Sequence, residues 1–178
     1  MSVIWHDIDE KRINEDDFIA CIEIAKGTNK KYELDKETGL IILDRLLHTS
    51  THYPANYGFI PKTLSGDGDP LDVLVLCSES LDPLTLVRCY PIGMVKMIDN
   101  GKEDEKIIAI PFGDPMYNCY TSVDELPRFI AQELIHFLKV YKDLEPDKVS
   151  QVGGLKTKEE AKQVITESKE RYNLKYKK

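Results

Sequence analysis

The sequence predicts an α+β chain that is mainly antiparallel β: a small closed β-barrel with two C-terminal helices packed outside it. Three observations lead there. Short apolar, β-branched runs fill the chain as far as Ile110, helical spacing begins only after Pro115, and turn residues separate the runs. A βαβ sandwich would instead interleave strands with helices. With 178 residues and 42% hydrophobic content, the chain can bury one sizeable core and is too short for two domains of ordinary size, so one domain over residues 1–178 is expected.

The elements follow in order. Phe18 to Ala25 alternates apolar and polar residues and reads as a strand, and Lys31 to Leu47 reads as two strands joined around Glu37-Thr38-Gly39. Tyr53 to Tyr57 has a turn-like centre at Pro54-Ala55-Asn56, with an apolar follow-on at Phe59-Ile60. Asp72 to Leu76, Leu86 to Val95 and Lys106 to Ile110 supply further strands, punctuated by Ser65-Gly66-Asp67-Gly68-Asp69-Pro70 and by an Asn100-Gly101 turn. Leu126, Ile130, Leu134, Phe137, Leu138 and Tyr141 then fall at helical spacing behind a cap at Ser122 or Asp124, predicting a helix over about Asp124 to Tyr141. A second helix begins at Thr157, whose spacing to Glu160 is a capping box, and carries Ala161, Val164 and Ile165 on one side. Its end, Lys175-Tyr176-Lys177-Lys178, is expected to fray.

Composition excludes several classes. The net charge of −7, from 31 acids against 24 basic residues, disfavours a protein that grips nucleic acid or an anionic membrane. The chain shows neither a membrane-length apolar run nor a secretory start, which predicts a cytoplasmic protein. Cys21, Cys77, Cys89 and Cys119 form no C-x-x-C pair and are expected to be reduced, buried thiols without a role.

The most informative stretch is Asp67-Gly68-Asp69-Pro70-Leu71-Asp72, three carboxylates in six residues followed directly by a strand. Crowded carboxylates repel one another, so they are either solvated, share protons, or bind a hard cation through oxygen. An EF-hand is excluded, because Leu71 and Asp72 stand where that loop needs Asp or Asn and Gly. Asp99 and Asp104 bracket the Asn100-Gly101 turn, and a hairpin there would bring them together. Asp104 with Lys106, and Lys31 with Glu33, share strand faces, which fits a site or an exposed surface equally well. Arg45, Tyr53, Tyr57, Tyr141 and Lys142 suit phosphate oxygens, and also ordinary roles at a core edge or helix end.

Taken together and in this order, the residues from about Cys21 to Val149 resemble the soluble family I inorganic pyrophosphatases, the short bacterial type in particular. The strongest motif is Asp67-Gly68-Asp69-Pro70-Leu71-Asp72-Val73; supporting blocks are Ile22-Glu23-Ile24, Lys31-Tyr32-Glu33-Leu34-Asp35-Lys36, Asp44-Arg45, Tyr53-Pro54-Ala55-Asn56-Tyr57-Gly58, Asp99 with Asp104 and Lys106, and Tyr141-Lys142-Asp143-Leu144-Glu145. The resemblance implies an OB-like barrel and a Mg²⁺-dependent inorganic diphosphatase that hydrolyses pyrophosphate to two phosphates, by in-line attack of water without a covalent intermediate. Asp67, Asp72 and Asp104 would hold a first metal, Asp72 would bridge to a second, and Asp99 and Asp104 would take a third. Glu23, with Glu33 near, would face metal delivered with the substrate. Lys31, Arg45, Tyr57, Lys106, Tyr141 and Lys142 would be phosphate ligands, with Tyr53 supporting the pocket. Asp69 would be the general base, acting on water held between the first two metals. These seven acids and four bases carry a nominal −3, which two Mg²⁺ would turn to +1, so metal loading makes an acidic site receptive to an anion.

The resemblance also implies a homo-oligomer, a hexamer assembled partly through the first C-terminal helix, where His136 lies. Two stretches depart from the family pattern: 110–123 is short, and 148–154 lacks aromatic residues, which leaves local packing and subunit contacts open. The rival reading is a non-catalytic barrel that binds nucleic acid or protein. Such a module would want a basic, aromatic face, whereas the basic residues here sit among acids. A pyrophosphatase scaffold without activity is the other alternative, although every expected catalytic position is filled.

Overall fold

The computed structural model describes residues 3–146 and 150–177. Five strands close on themselves in the order β1 (Phe18–Ile24), β4 (Asn56–Ile60), β5 (Leu71–Val75), β8 (Lys106–Pro111) and β6 (Leu86–Asp99), because β6 also pairs with β1. This is the mainly antiparallel, closed, OB-like architecture expected. The β5–β8 pair is parallel, setting Asp72 opposite Lys106. β7 (Lys102–Glu103) and β9 (Ser150–Lys156) extend β6, while β2 (Lys30–Leu34) and β3 (Ile41–Leu46) form a separate two-stranded sheet.

The first strand is buried along its whole length, Glu23 included, so the expected half-exposed alternation does not hold. Its two sides join different apolar clusters: Ile22 that of Ala161 and Ile165 in the last helix, and Cys21 that of Trp5, Phe59 and Tyr172. The Tyr53–Tyr57 stretch, read as a turn, runs into β4. Its Asn56 is fully buried, with Oδ1 accepting from Lys26 N and Leu81 N while Nδ2 donates to Glu79 O. Gly58 faces Ile22 so closely that a Cβ would stand 1.9 Å from Cys21 O.

The helix expected over Asp124 to Tyr141 is shorter. Ser122 caps a 3-10 turn at Val123–Glu125, and the α-helix proper, α2 (Arg128–Val140), starts after Pro127. Proline bars the preceding residue from helical geometry, and Leu126 is accordingly extended at φ −64°, ψ 143°. The last helix, α3 (Lys158–Tyr176), has the predicted capping box at Thr157. It is helical through Tyr176, farther than expected, with the Tyr176 ring packed on Trp5 and Tyr172 at 5.6 and 4.9 Å and Lys177 paired with Glu10. Trp5 belongs to a short N-terminal helix, α1 (Ile4–Asp7), that the sequence pattern does not reveal. Val149, Lys178 and the start of the 148–154 stretch lie outside the described residues. Cys21, Cys77 and Cys89 are buried free thiols, but Cys119 is exposed, on the turn that follows Asp114. No helix among the described residues is long and apolar enough to cross a membrane.

Candidate active site

The acidic loop is built locally. Gly68 takes φ +99°, which a side chain would resist, and Asp67 Oδ1 accepts from Asp69 N at 3.0 Å while Ser65 N donates to Asp69 O at 2.7 Å. The loop feeds β5, whose first exposed-side residue, Asp72, faces Lys106 across the parallel ladder. On the other side of Lys106, Asn100 and Gly101 both have positive φ, 48° and 80°, as a type I′ hairpin requires. The ladder pairs Ile98 with Glu103 and Asp99 with Lys102, and Asp104 N then donates to Met97 O, so Asp99 and Asp104 both turn into the same cavity.

That cavity has a volume of about 220 Å³. Its wall contains every residue singled out from the sequence except Arg45 and Tyr53: the carboxylates of Glu23, Glu33, Asp67, Asp69, Asp72, Asp99 and Asp104, the ammonium groups of Lys31, Lys106 and Lys142, and the rings of Tyr57 and Tyr141. Tyr53 lies behind the wall, almost fully buried, with its ring 5.5 Å from Tyr57 and 4.8 Å from Phe137. Arg45 stands at the edge, its Nε donating to Glu145 at 2.8 Å and its Nη1 to Asp44 at 2.5 Å. The sequence assigned no role to Trp5 and Lys36, which line the cavity, or to Glu145, which lies outside its wall. Lys36 pairs with Asp69 and lies over the Trp5 ring, Trp5 itself lines the cavity, and Glu145 holds Arg45. Lys36 and Glu145 stand in blocks that carry the family resemblance, whereas nothing around Trp5 marks it.

Ammonium groups answer most of the carboxylates. Lys106 Nζ donates to Asp72 at 2.6 Å and to Asp104 at 2.5 Å, Lys142 donates to Asp99 at 2.8 Å, and Lys31 contacts Glu33 and, at 3.1 Å, Asp44. Glu23 Oε1 accepts from Leu34 N at 2.7 Å. Among the described residues no three of these acids are already drawn into one coordination shell.

The charges nevertheless strain one another. Burial first, and the Asp72 charge second, push the Glu23 carboxyl up to about 8. Burial also raises Asp67 and Asp72, in the second case against the pull of Lys106. Asp99 goes the other way: burial, the largest single influence, would raise it, but the hydrogen bond and charge of Lys142, the Ser150 hydroxyl and the Lys106 charge together hold it below the ordinary value. Burial works against the Lys106 ammonium, but Asp72 and Asp104 together hold its pKa well above the ordinary value. The site thus keeps an excess of oxygen donors that its own cations do not fully neutralise, which is the donor chemistry of a hard divalent ion.

The chain matches the family model described as inorganic pyrophosphatase over residues 20–173. It is similar to soluble inorganic pyrophosphatase 2 of Chlamydomonas reinhardtii, 44% identical over 173 residues that cover 97% of this chain and 89% of that one. An inorganic pyrophosphatase of Aquifex pyrophilus is 45% identical over 159 residues, 88% of this chain and 90% of its own. Among solved structures, an inorganic pyrophosphatase from Helicobacter pylori superposes with a TM-score of 0.88 at 40% identity, covering 90% of this chain and 96% of that one.

Proposed function

The chain belongs to the inorganic pyrophosphatase family and is an inorganic diphosphatase, and we propose that it splits pyrophosphate into two phosphates by in-line attack of water, with magnesium ions as cofactors and without a bond between substrate and protein. The observation that carries this reading is the meeting, in one cavity, of carboxylates from β1, β2, the 65–70 loop, β5 and the β6–β8 hairpin with Lys31, Lys106 and Lys142.

The donor set fits magnesium. Asp67, Asp72, Asp99 and Asp104 would hold the resident ions, Asp72 being shared, and Glu23 with Glu33 would face an ion that comes with the substrate. Bound magnesium supplies positive charge for the anionic substrate and acidifies the attacking water. The chain's own groups do the rest. Asp69, whose side chain is 56% exposed at the cavity, takes the proton from the water. Lys31, Arg45, Lys106, Lys142 and the hydroxyls of Tyr57 and Tyr141 hold phosphate oxygens and stabilise charge on the departing phosphate. Tyr53 backs the Tyr57 ring and keeps it in place.

We read residues 1–178 as one such domain, working in the cytoplasm with no nucleic-acid or membrane partner. The chain is expected to form a homohexamer by family resemblance, and α2 offers a surface for contact between copies, with Phe129 70% exposed beside a groove lined in part by Leu126, Ala131, Ile135 and His136. Phosphate release from pyrophosphate, with and without Mg²⁺, tests the function. Release is expected only with free Mg²⁺; full activity in excess EDTA overturns the metal reading, and no release at any Mg²⁺ concentration overturns the function.

A further inference from the structure

Glu145 is the most enclosed carboxylate at the edge of the site, its side chain only 3% exposed, and neither metal nor phosphate binding uses it. A buried carboxylate needs a partner, and Oε1 of Glu145 has one in the Nε–H of Arg45, one hundred positions earlier, at 2.8 Å. Arg45 lies on β3, and among the described residues the β2–β3 sheet has no ladder to the main ring. Register within the hairpin sets Arg45 opposite Lys31 of the cavity wall, and the seating of the hairpin against the main ring is set by tertiary contacts. At the far end of this hairpin Glu23 accepts from Leu34 N and Lys36 pairs with Asp69; at the near end Arg45 bonds Glu145, His48 Nδ1 lies 3.5 Å from Leu144 O, and Leu47 joins the core cluster of Phe137 and Tyr141.

Glu145 is itself well placed to fix a position. It closes the turn after α2, where Asp143 N donates to Val140 O and Glu145 N to Lys142 O, at 3.0 and 2.9 Å. Tyr141 and Lys142, both in the cavity wall, stand on the same turn. A guanidinium carries its five donors in one rigid plane, so holding Nε fixes the direction of all the others. A buried ion pair adds little to stability on balance, which leaves orientation as the better account of this one.

We propose that Glu145 is a positioning residue for phosphate binding: by clasping Arg45 Nε it sets the guanidinium plane in register with Tyr141 and Lys142 across the two sides of the cavity. The proposal rests on the reading of Arg45 as a phosphate ligand. It predicts that Glu145 acts through Arg45 and has no separate effect on turnover.

Glu145→Ala, Glu145→Gln, Arg45→Ala and the double Glu145→Ala/Arg45→Ala variant test this, with pyrophosphate hydrolysis in Mg²⁺ and hydrogen–deuterium exchange of residues 41–47 as readouts. Glu145→Ala is expected to lower kcat/KM by roughly tenfold to a hundredfold, the scale of a misplaced substrate ligand. Glu145→Gln keeps volume and an acceptor, so it should fold like the parent and lose less. The double variant should be no worse than Arg45→Ala alone, and β3 exchange should quicken in Glu145→Ala. Losses that multiply in the double variant, wild-type kinetics in Glu145→Ala, or unchanged β3 exchange each overturn the proposal. A parent chain that hydrolyses no pyrophosphate, with β3 exchange still quickened, would instead overturn the functional reading and with it the phosphate role of the clasp.

Discussion

Replacing Lys106 by Met removes the ammonium that Asp72 and Asp104 share. Its side chain is 4% exposed, and it bonds Asp72 at 2.6 Å and Asp104 at 2.5 Å. At an effective dielectric constant of about 20, each contact is worth about 6 kcal/mol before desolvation. The ammonium's own desolvation offsets much of that, and breaking a buried pair costs on balance about 3–5 kcal/mol, because unpaired carboxylates are left behind. In a chain of this size 1 kcal/mol moves the melting temperature by about 2–4 °C, so Lys106→Met should melt about 6–20 °C lower than the parent in EDTA. Magnesium should narrow that gap, because without the competing ammonium Asp72 and Asp104 should bind the cation more tightly than in the parent, and each tenfold gain in affinity adds about 1.4 kcal/mol to the folded variant at saturating Mg²⁺. Scanning both proteins by circular dichroism at pH 7, in EDTA and in millimolar Mg²⁺, reads both effects. Equal melting in EDTA, or a gap that magnesium leaves untouched, refutes the idea that Lys106 substitutes for cation charge between these acids.

Four other variants test separate features of the site and the fold. Asp69→Asn should keep metal affinity and lose roughly 100-fold or more in kcat, without rescue by added Mg²⁺, whereas Asp72→Ala should bind metal weakly and recover in part; the opposite pattern in a Mg²⁺ titration assigns the roles the other way. Glu23 has a folded-state pKa of about 8 against about 4.5 unfolded, so its contribution to metal-free stability is complete below about pH 4.5 and is lost as the pH rises to about 8. Denaturant titrations in EDTA should show that fall in the parent and a flatter profile in Glu23→Gln; identical profiles would remove Glu23 as the cause. Gly58→Ala should destabilise the chain by about 3 kcal/mol or more, since its Cβ would meet Cys21 O at 1.9 Å, and a melting temperature like the parent's would contradict the close approach of β1 and β4.

Where interactions are local, the residues themselves were legible. Thr157 and Glu160 are three apart and form the capping box they predict, Asn100-Gly101 makes its turn, and the 67–72 motif becomes a loop running into the start of β5, with its three acids lining one cavity. Element boundaries were less legible: Pro127 cut the helix that the apolar spacing ran through, and the tail whose charges suggested fraying is helical through Tyr176, whose ring packs on Trp5.

By itself, then, the sequence determined the class of fold, the acidic motif and its order among the basic residues, because these depend on spacing and side-chain chemistry along the chain. Only the tertiary structure decided that β6 returns to β1 and closes the ring, that β5 and β8 run parallel so that Lys106 falls between Asp72 and Asp104, and that Trp5 reaches the cavity wall. It also decided that Arg45 is held from one hundred residues away by Glu145. Contacts between distant segments form only when whole elements pack, and the free energy that selects them comes from buried apolar surface spread over many residues rather than from the few charged groups the packing brings together.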